Sequence, residues 1–220
     1  SVKRAIGQQV RDVRRYGKYI LLDLDDGLLA IHLGMTGKLL VDARPGPHAR
    51  AVLYFDGVNV VYDDVRQFGS IRWMPREPEG LGPDALQITA ADFAGMIGAR
   101  RGRIKALLLN QAFLRGLGNI YSDEALFRAG IHPLAEAGRL SRRRILSLHR
   151  AIRQVLRQAI AKGGSSISDY RDPDGRQGWF QIEHRVYGRA GEPCKRCGTA
   201  IRRILVAQRS THFCPKCQRK

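Results

Sequence analysis

Four cysteines are the residues whose spacing most narrowly limits their chemistry. They occur as Cys194-Lys195-Arg196-Cys197 and Cys214-Pro215-Lys216-Cys217, and the chain has no others. A C-x-x-C turn directs two thiolates at one point, and two such turns complete a tetrahedral zinc site with four sulfur ligands. Two disulfides or idle thiols are the alternatives, and the paired short spacing favours one structural Zn2+. The intervening span, residues 201–213, reads as two β-strands with too little apolar core to fold alone. Zinc supplies about 10–16 kcal/mol in small fingers, so the hairpin is expected to depend on its metal. Residues 194–220 are rich in Lys and Arg and contain no Asp or Glu. A rigid hairpin with charge of one sign suits a polyanion.

Other candidates are weaker when taken singly. Gly116-Leu117-Gly118-Asn119 places two glycines ahead of a helix, which frees its first N–H groups to approach an anion, with Asn119 adding a side-chain donor. A tight interhelical turn with Asn119 as N-cap fits the same residues, and the basic background tips the balance toward phosphate. No Gly-Lys-Ser/Thr follows, which argues against a nucleoside triphosphate site. His32 alternates with Ile31 and Leu33 and so faces away from them; a histidine there is more often solvated than a ligand. Lys18, after Arg14-Arg15-Tyr16-Gly17, reads as part of a basic strand edge. Met35, Arg66 and Phe68 say little alone. The acidic residues show no pairing that marks a metal or acid–base site.

The elements that must position these residues fall in sections along 220 residues. Residues 10–74 read as β, with hairpin signals at Asp25-Asp26-Gly27 and Asp56-Gly57. The expectation is an antiparallel β-sandwich over residues 1–75, then a Pro-, Gly- and Glu-rich linker over 76–88. The apolar period then becomes helical. Thr89 caps one helix to Ile97; others cover 104–111 and 119–129, and Gly130 ends the third. Ser141 caps a long helix with Ile145, Leu148, Ile152, Val155, Leu156 and Ile160 at helical spacing. The helical domain is placed at 89–164, a long loop at 165–182, and the zinc-ribbon hairpin at 183–220, giving an α+β multidomain chain.

Thirty-eight Lys and Arg against 20 Asp and Glu leave a formal charge of +18. Such an excess repels itself and is usually retained for a partner, most often nucleic acid. Arginine predominates, and its fork matches phosphate oxygens. No stretch reads as a signal peptide or a membrane span, and cysteines of the metal-binding kind point to a reducing cytoplasm.

Taken together, the motifs resemble the formamidopyrimidine-DNA glycosylase family. The pieces are Arg14-Arg15-Tyr16-Gly17-Lys18-Tyr19, Ile31-His32-Leu33-Gly34-Met35-Thr36-Gly37 and Asp64-Val65-Arg66-Gln67-Phe68-Gly69. They continue with Gly118-Asn119-Ile120-Tyr121-Ser122-Asp123-Glu124, Ala129-Gly130-Ile131-His132-Pro133, Val186-Tyr187-Gly188-Arg189 and the cysteine hairpin with Gln208-Arg209. Relatives of the endonuclease VIII type lack the His-Leu-Gly-Met-Thr-Gly piece and the long loop in this form. The resemblance implies excision of oxidised purines from duplex DNA, then strand cleavage by β,δ-elimination. A base inside a stack must first be flipped out, at about a few kcal/mol. By resemblance, Met35 fills the vacated space, Arg66 hydrogen-bonds the orphaned cytosine and Phe68 wedges the opposite strand. Lys18, His32, Asn119, Tyr187 and Arg209 grip phosphates around the lesion. Asn119 does so from a helix-two-turn-helix motif and Arg209 from the tip of the zinc hairpin, so that two domains pinch one backbone. The loop Ser165, Ser166, Ile167, Ser168, Asp169 and Tyr170 closes over the extruded base. The chain is expected to act as a monomer, without a membrane.

The family's nucleophile is an amino-terminal proline followed by a catalytic glutamate, whereas this sequence opens Ser1-Val2-Lys3. A fragment lacking its true start is the favoured explanation, and a naturally shortened, non-catalytic DNA binder the other. Lys18 has an amine, yet a phosphate contact near the reaction centre is its simpler role. Gln67 stands where an Arg is common in the family, and Trp179 where Tyr is frequent. From a different class, a zinc-ribbon protein binding RNA or protein fits the composition, but not Met35, Arg66 and Phe68 in their family context.

Overall fold

Apolar residues run almost unbroken through residues 19–24 and 28–33, and such runs suit the centre of a sheet with two covered faces. The structure, a computed structural model, describes residues 1–165, 173–175 and 178–220. It divides into two units: Ser1–Glu79 with Lys162–Gln181, and Gly80–Ala161 with Ile182–Lys220.

The first unit holds strands β1 (Asp12–Tyr16), β2 (Tyr19–Asp23), β3 (Leu28–His32), β4 (Lys38–Val41), β5 (Ala49–Phe55), β6 (Val58–Asp63) and β7 (Ser70–Met74). They form two antiparallel sheets, ordered β1-β2-β3-β7 and β4-β6-β5. Leu22, Leu24, Leu29 and Ile31 point from the first sheet into a core shared with Leu39, Leu53 and Phe55 of the second. Leu21, Leu28 and Ala30 form a separate cluster with Tyr16, Tyr19 and Met74. This is the packing of a sandwich, with side chains two apart sharing a face. Lys18 lies in the β1–β2 turn, after Gly17 at φ 63°, rather than along a strand edge. Arg14, paired with Asp23 at 2.6 Å and Glu77 at 2.5 Å, fixes the strand that leads into it.

The second unit contains α1 (Ala90–Gly98), α2 (Ile104–Leu109), α3 (Asn119–Ala129), α4 (Arg142–Ala161), β8 (Arg202–Val206) and β9 (Arg209–Phe213). Thr89 caps α1: its Oγ1 accepts from the Asp92 N–H at 3.1 Å and donates to the Asp92 carboxylate at 2.7 Å. α2 ends before residue 111 because the Asn110 side chain accepts from the Ala112 N–H at 3.0 Å and opens an Asx-turn. α3 is capped by Gly118, so Asn119 is its first helical residue rather than its cap, and Gly130 closes it at φ 68°. The segment 80–88, linker-like in composition, buries Ala85 and Ile88. Ile145, Leu148, Ile152, Val155 and Leu156 of α4 are buried as their spacing predicts, but Ile160 is 64% exposed. Ala159 takes the inward position, and Ile160 lies about 100° further round the helix.

Leu148 is fully buried in α4. Leu148→Ala is expected to destabilise the second unit by about 2–5 kcal/mol, read as a lower urea midpoint with unchanged m-value.

Candidate nucleic-acid interface

In the first unit, two loops carry the candidate plug, and one buried carboxylate ties them together. Asp64 is fully buried. It accepts hydrogen bonds from Thr36 Oγ1 at 2.5 Å, the Tyr62 hydroxyl at 2.9 Å and the Gly69 N–H at 2.9 Å. Thr36 Oγ1 in turn accepts from the Arg66 N–H at 3.1 Å. Burial alone would raise the Asp64 pKa, but hydrogen bonds from Thr36, Gly69, Tyr62 and the Gln67 backbone hold it below the usual range. Burial and the same carboxylate push the Tyr62 hydroxyl up, so it remains a donor.

Two glycines permit the close approach. A Cβ on Gly34 would lie 2.6 Å from the Phe68 carbonyl carbon, and one on Gly69 would lie 2.0 Å from the Tyr62 hydroxyl. Gln67, at φ 56°, turns the chain between Arg66 and Phe68. The result is an exposed set: Met35 is 59% exposed, Phe68 is 57% exposed, and the Arg66 guanidinium lies 4.6 Å from the Phe68 ring centroid.

Nearby, His32 pairs across the strands with Tyr19, their rings 4.9 Å apart. Its Nδ1 accepts from the Gly34 N–H at 3.1 Å, which puts the proton of the neutral ring on Nε2. Burial lowers its pKa, and the charge of Lys18 lowers it further. Lys18 thus sets a positive charge beside a ring whose protonated form is disfavoured.

In the second unit, α3 organises the other candidates. The Asn119 Nδ2 donates to the Ser210 carbonyl at 2.9 Å, which joins the helix start to the residue after Arg209. Arg209 opens β9 just past a tight turn in which Ala207 and Gln208 have φ 47° and 59°. The Asn119–Ser210 bond thus joins the helical segment to the cysteine hairpin within one compact unit. Glu124, fully buried, accepts from the N–H groups of Arg185, Val186 and Tyr187, each at 3.0 Å. Asp123 pairs with the buried Lys105 ammonium and accepts from the His212 N–H at 2.9 Å. Burial lowers the Lys105 pKa against the attraction of Asp123. The Tyr187 ring sits 5.0 Å from that of His212.

Residue patterns did not single out Asp64, Lys105, Asp123 or Glu124. The available signal was a charged residue set among apolar neighbours in a helix, as in Ile104-Lys105 and Asp123-Glu124-Ala125-Leu126.

The four cysteine sulfurs lie within 4.8 Å of one another. The Cys194–Cys217 and Cys197–Cys214 separations are 4.0 and 3.5 Å, far beyond a disulfide bond and near the roughly 3.8 Å edge of a zinc–sulfur tetrahedron. The Arg196 and Cys217 N–H groups point at Cys194 and Cys214 sulfurs, as suits thiolates. These cysteines hold a structural Zn2+. Of the lesion-loop residues, Ser165 forms a bridge with Trp179. Ser166, Ile167, Ser168, Asp169 and Tyr170 lie outside the described residues.

Comparison with known proteins agrees along the chain. Residues 1–71 match the family described as formamidopyrimidine-DNA glycosylase N-terminal domain. Residues 80–171 match its H2TH domain, and 191–219 a zinc finger found in FPG and IleRS. A formamidopyrimidine-DNA glycosylase of Solibacter usitatus is 52% identical over 99% of this chain and 84% of its own length. The crystal structure of the MutM (Fpg) protein of Thermus thermophilus superposes with a TM-score of 0.89 at 42% identity, over 96% of this chain and 84% of that one. Lactococcus lactis Fpg, solved in complex with DNA containing an abasic site, gives 0.89 at 36% identity, over 99% and 85%.

Asp64→Asn is expected to cost the first unit about 1.5–3 kcal/mol, because an amide replaces a charged acceptor of several donors. Since the Asp64 pKa is lowered on folding, its contribution is present above about pH 4 and disappears as pH falls through the folded value. Acid titration of wild type and variant should therefore converge at low pH; parallel curves would remove the carboxylate from this role. Zinc chelation should unfold β8–β9 and abolish tight DNA binding while the β-sandwich stays folded, as followed by circular dichroism and DNA titration.

Proposed function

Because this chain belongs to the formamidopyrimidine-DNA glycosylase family, we propose that it excises oxidised purines, 8-oxoguanine and formamidopyrimidines, from duplex DNA and then cleaves the strand as an apurinic/apyrimidinic lyase. The observation that carries this reading is the exposed trio of Met35, Arg66 and Phe68, held by the Asp64 anchor. Two large apolar side chains in water are costly to keep unless something covers them. An unstacked base step would do so, with Met35 in the gap left by the flipped nucleotide and Phe68 against the opposite stack. Arg66, its guanidinium over the Phe68 ring, then reads the edge of the unpaired base.

The phosphate contacts divide between charge and hydrogen bonding. Lys18 and Arg209 neutralise phosphate charge; His32, Asn119 and Tyr187 donate without adding charge. For Asn119, one amide hydrogen serves Ser210 and the second is left for phosphate. Lys18 has a phosphate role rather than a covalent one, since it sits beside a neutral donor suited to the same group. Four thiolate ligands suit the reducing cytoplasm, where the protein acts as a monomer, and among the described residues no helix is long and apolar enough to cross a membrane.

Protein expressed from the complete gene should nick a duplex containing 8-oxoguanine opposite cytosine and give a covalent adduct on borohydride treatment. Tight binding with neither nick nor adduct would instead establish a non-catalytic lesion binder. Arg66→Ala should reduce discrimination for the base opposite the lesion by about 1–3 kcal/mol. Arg209→Ala should weaken binding to all sequences and flatten the salt dependence by about one unit of slope. An unaltered slope would mean that Arg209 does not touch phosphate.

A further inference from the structure

The second unit carries a cationic surface that the reading above does not use. Residues 137–168 contain no Asp or Glu. Within them, α4 packs its apolar seam on α3 and α1. Its reverse side presents Arg143, Arg150, Arg153 and Arg157, which fall within about a third of the helix circumference. Among the described residues, Arg150, Arg153 and Arg157 form no ion pair with a carboxylate. Exposed helices ordinarily intersperse both signs, because like charges one turn apart repel.

A hollow of about 540 Å3 adjoins this face, and Gln154 and Gln158 line both. Its walls carry Arg128, Arg185, Lys195 and Arg196, and among the described residues Glu183 is the one acidic lining residue. Two of the cations are held by neutral partners. Arg128 donates to the Gln158 side chain at 2.7 Å, and Arg196 stacks 4.5 Å from the Phe127 ring centroid. Burial lowers the Arg128 pKa, and Arg185 lowers it further against the pull of Glu124. Arg128 lies nine residues after Asn119 on α3, about 14 Å along the axis from the Asn119–Ser210 bond.

We propose that the outer face of α4 and the adjoining hollow form a second DNA-binding surface, which takes the phosphate backbone of another duplex segment while the Asn119–Arg209 end holds the first. The chemistry favours DNA over an acidic protein. The face is built from arginine forks and glutamine amides, which suit phosphate oxygens. Among the described residues of α4 it shows no central apolar anchor of the kind a protein interface has; the exposed Ile160 stands in the last turn of α4. From Arg150 to Arg157 the face spans about 10 Å, a length of duplex that carries about six phosphate charges. Such a surface lets the protein pass directly from one DNA segment to another without first dissociating.

The test is transfer kinetics with the intact, zinc-loaded protein. A labelled 8-oxoguanine duplex is preloaded and chased with increasing concentrations of an unlabelled undamaged duplex. In wild type, release should accelerate in proportion to competitor. The triple variant Arg150→Gln, Arg153→Gln, Arg157→Gln should lose this dependence by at least about fivefold, as expected for three lost phosphate contacts, with affinity for the lesion duplex changed less than about twofold. Replacing the same three arginines with lysine should retain much of the dependence. If the triple variant perturbs circular dichroism or zinc content, Arg150→Gln with Arg157→Gln serves instead, since both side chains are exposed. Competitor dependence equal to wild type in the glutamine variant overturns the proposal. So does acceleration by polyglutamate but not by DNA, which would assign the face to an acidic protein. The readout is release rather than excision, so it holds whether or not the protein cleaves its substrate.

Discussion

A buried carboxylate is tolerated only when donors surround it, and this chain places three of them beneath its candidate contact residues, one in the first unit and two in the second. Asp64, Asp123 and Glu124 are fully or almost fully inaccessible. Removing an ion from water costs several kcal/mol even after relaxation, and the cost falls only if every strong acceptor site is engaged. Asp64 meets that demand with a hydroxyl from each of two residues and backbone N–H groups from the 64–69 loop. Glu124 meets it with three consecutive backbone N–H groups, and Asp123 with Lys105 and the His212 backbone. Apart from Tyr62 and Lys105, the donors come from the segments that carry the candidate contact residues. A segment that slipped would strip a hydrogen bond from a buried charge, so the loops are held in place as a condition of folding.

That constraint explains how an exposed apolar plug can exist. Met35 and Phe68 are drawn toward the interior by the hydrophobic effect, each by roughly 1.5–3 kcal/mol if fully buried. The loops cannot follow, because Gly34 packs against the Phe68 backbone and Gly69 against Tyr62, and Thr36 bridges Asp64 to the Arg66 N–H. The ordering entropy of these loops is then spent during folding and does not have to be met when DNA binds.

The sequence made the elements legible wherever a local pattern sufficed. Thr89 with Asp92, Gly130, and the paired cysteines each announce a structure through their immediate neighbours. The family was legible from motifs whose order runs along nearly the whole chain. The anchors were not. Asp64 binds Thr36, 28 positions away, and Asp123 binds the His212 N–H, 89 positions away. No periodicity or spacing rule joins such residues, and a buried acid in a chain of net charge +18 looks like one more surface charge until the fold is known. Ile160 failed for the opposite reason: its spacing fits the seam of α4, but the neighbouring Ala159 completes the packing.

The division of labour between charge and shape then follows. A surface with this excess of arginine attracts any duplex, and that attraction weakens steeply with salt because it rests on counterion release. It cannot by itself distinguish a damaged base. The exposed trio that could do so carries a single charge: Met35 and Phe68 are apolar, and Arg66 is the cation between them. In the proposed reading, discrimination rests on how readily a base step opens around Met35 and Phe68, a deformation energy that salt screens far less than phosphate contacts, and on the Arg66 contact to the unpaired base. On that proposal the basic faces gather DNA and the anchored loops test it, and the two functions can vary separately because different residues carry them.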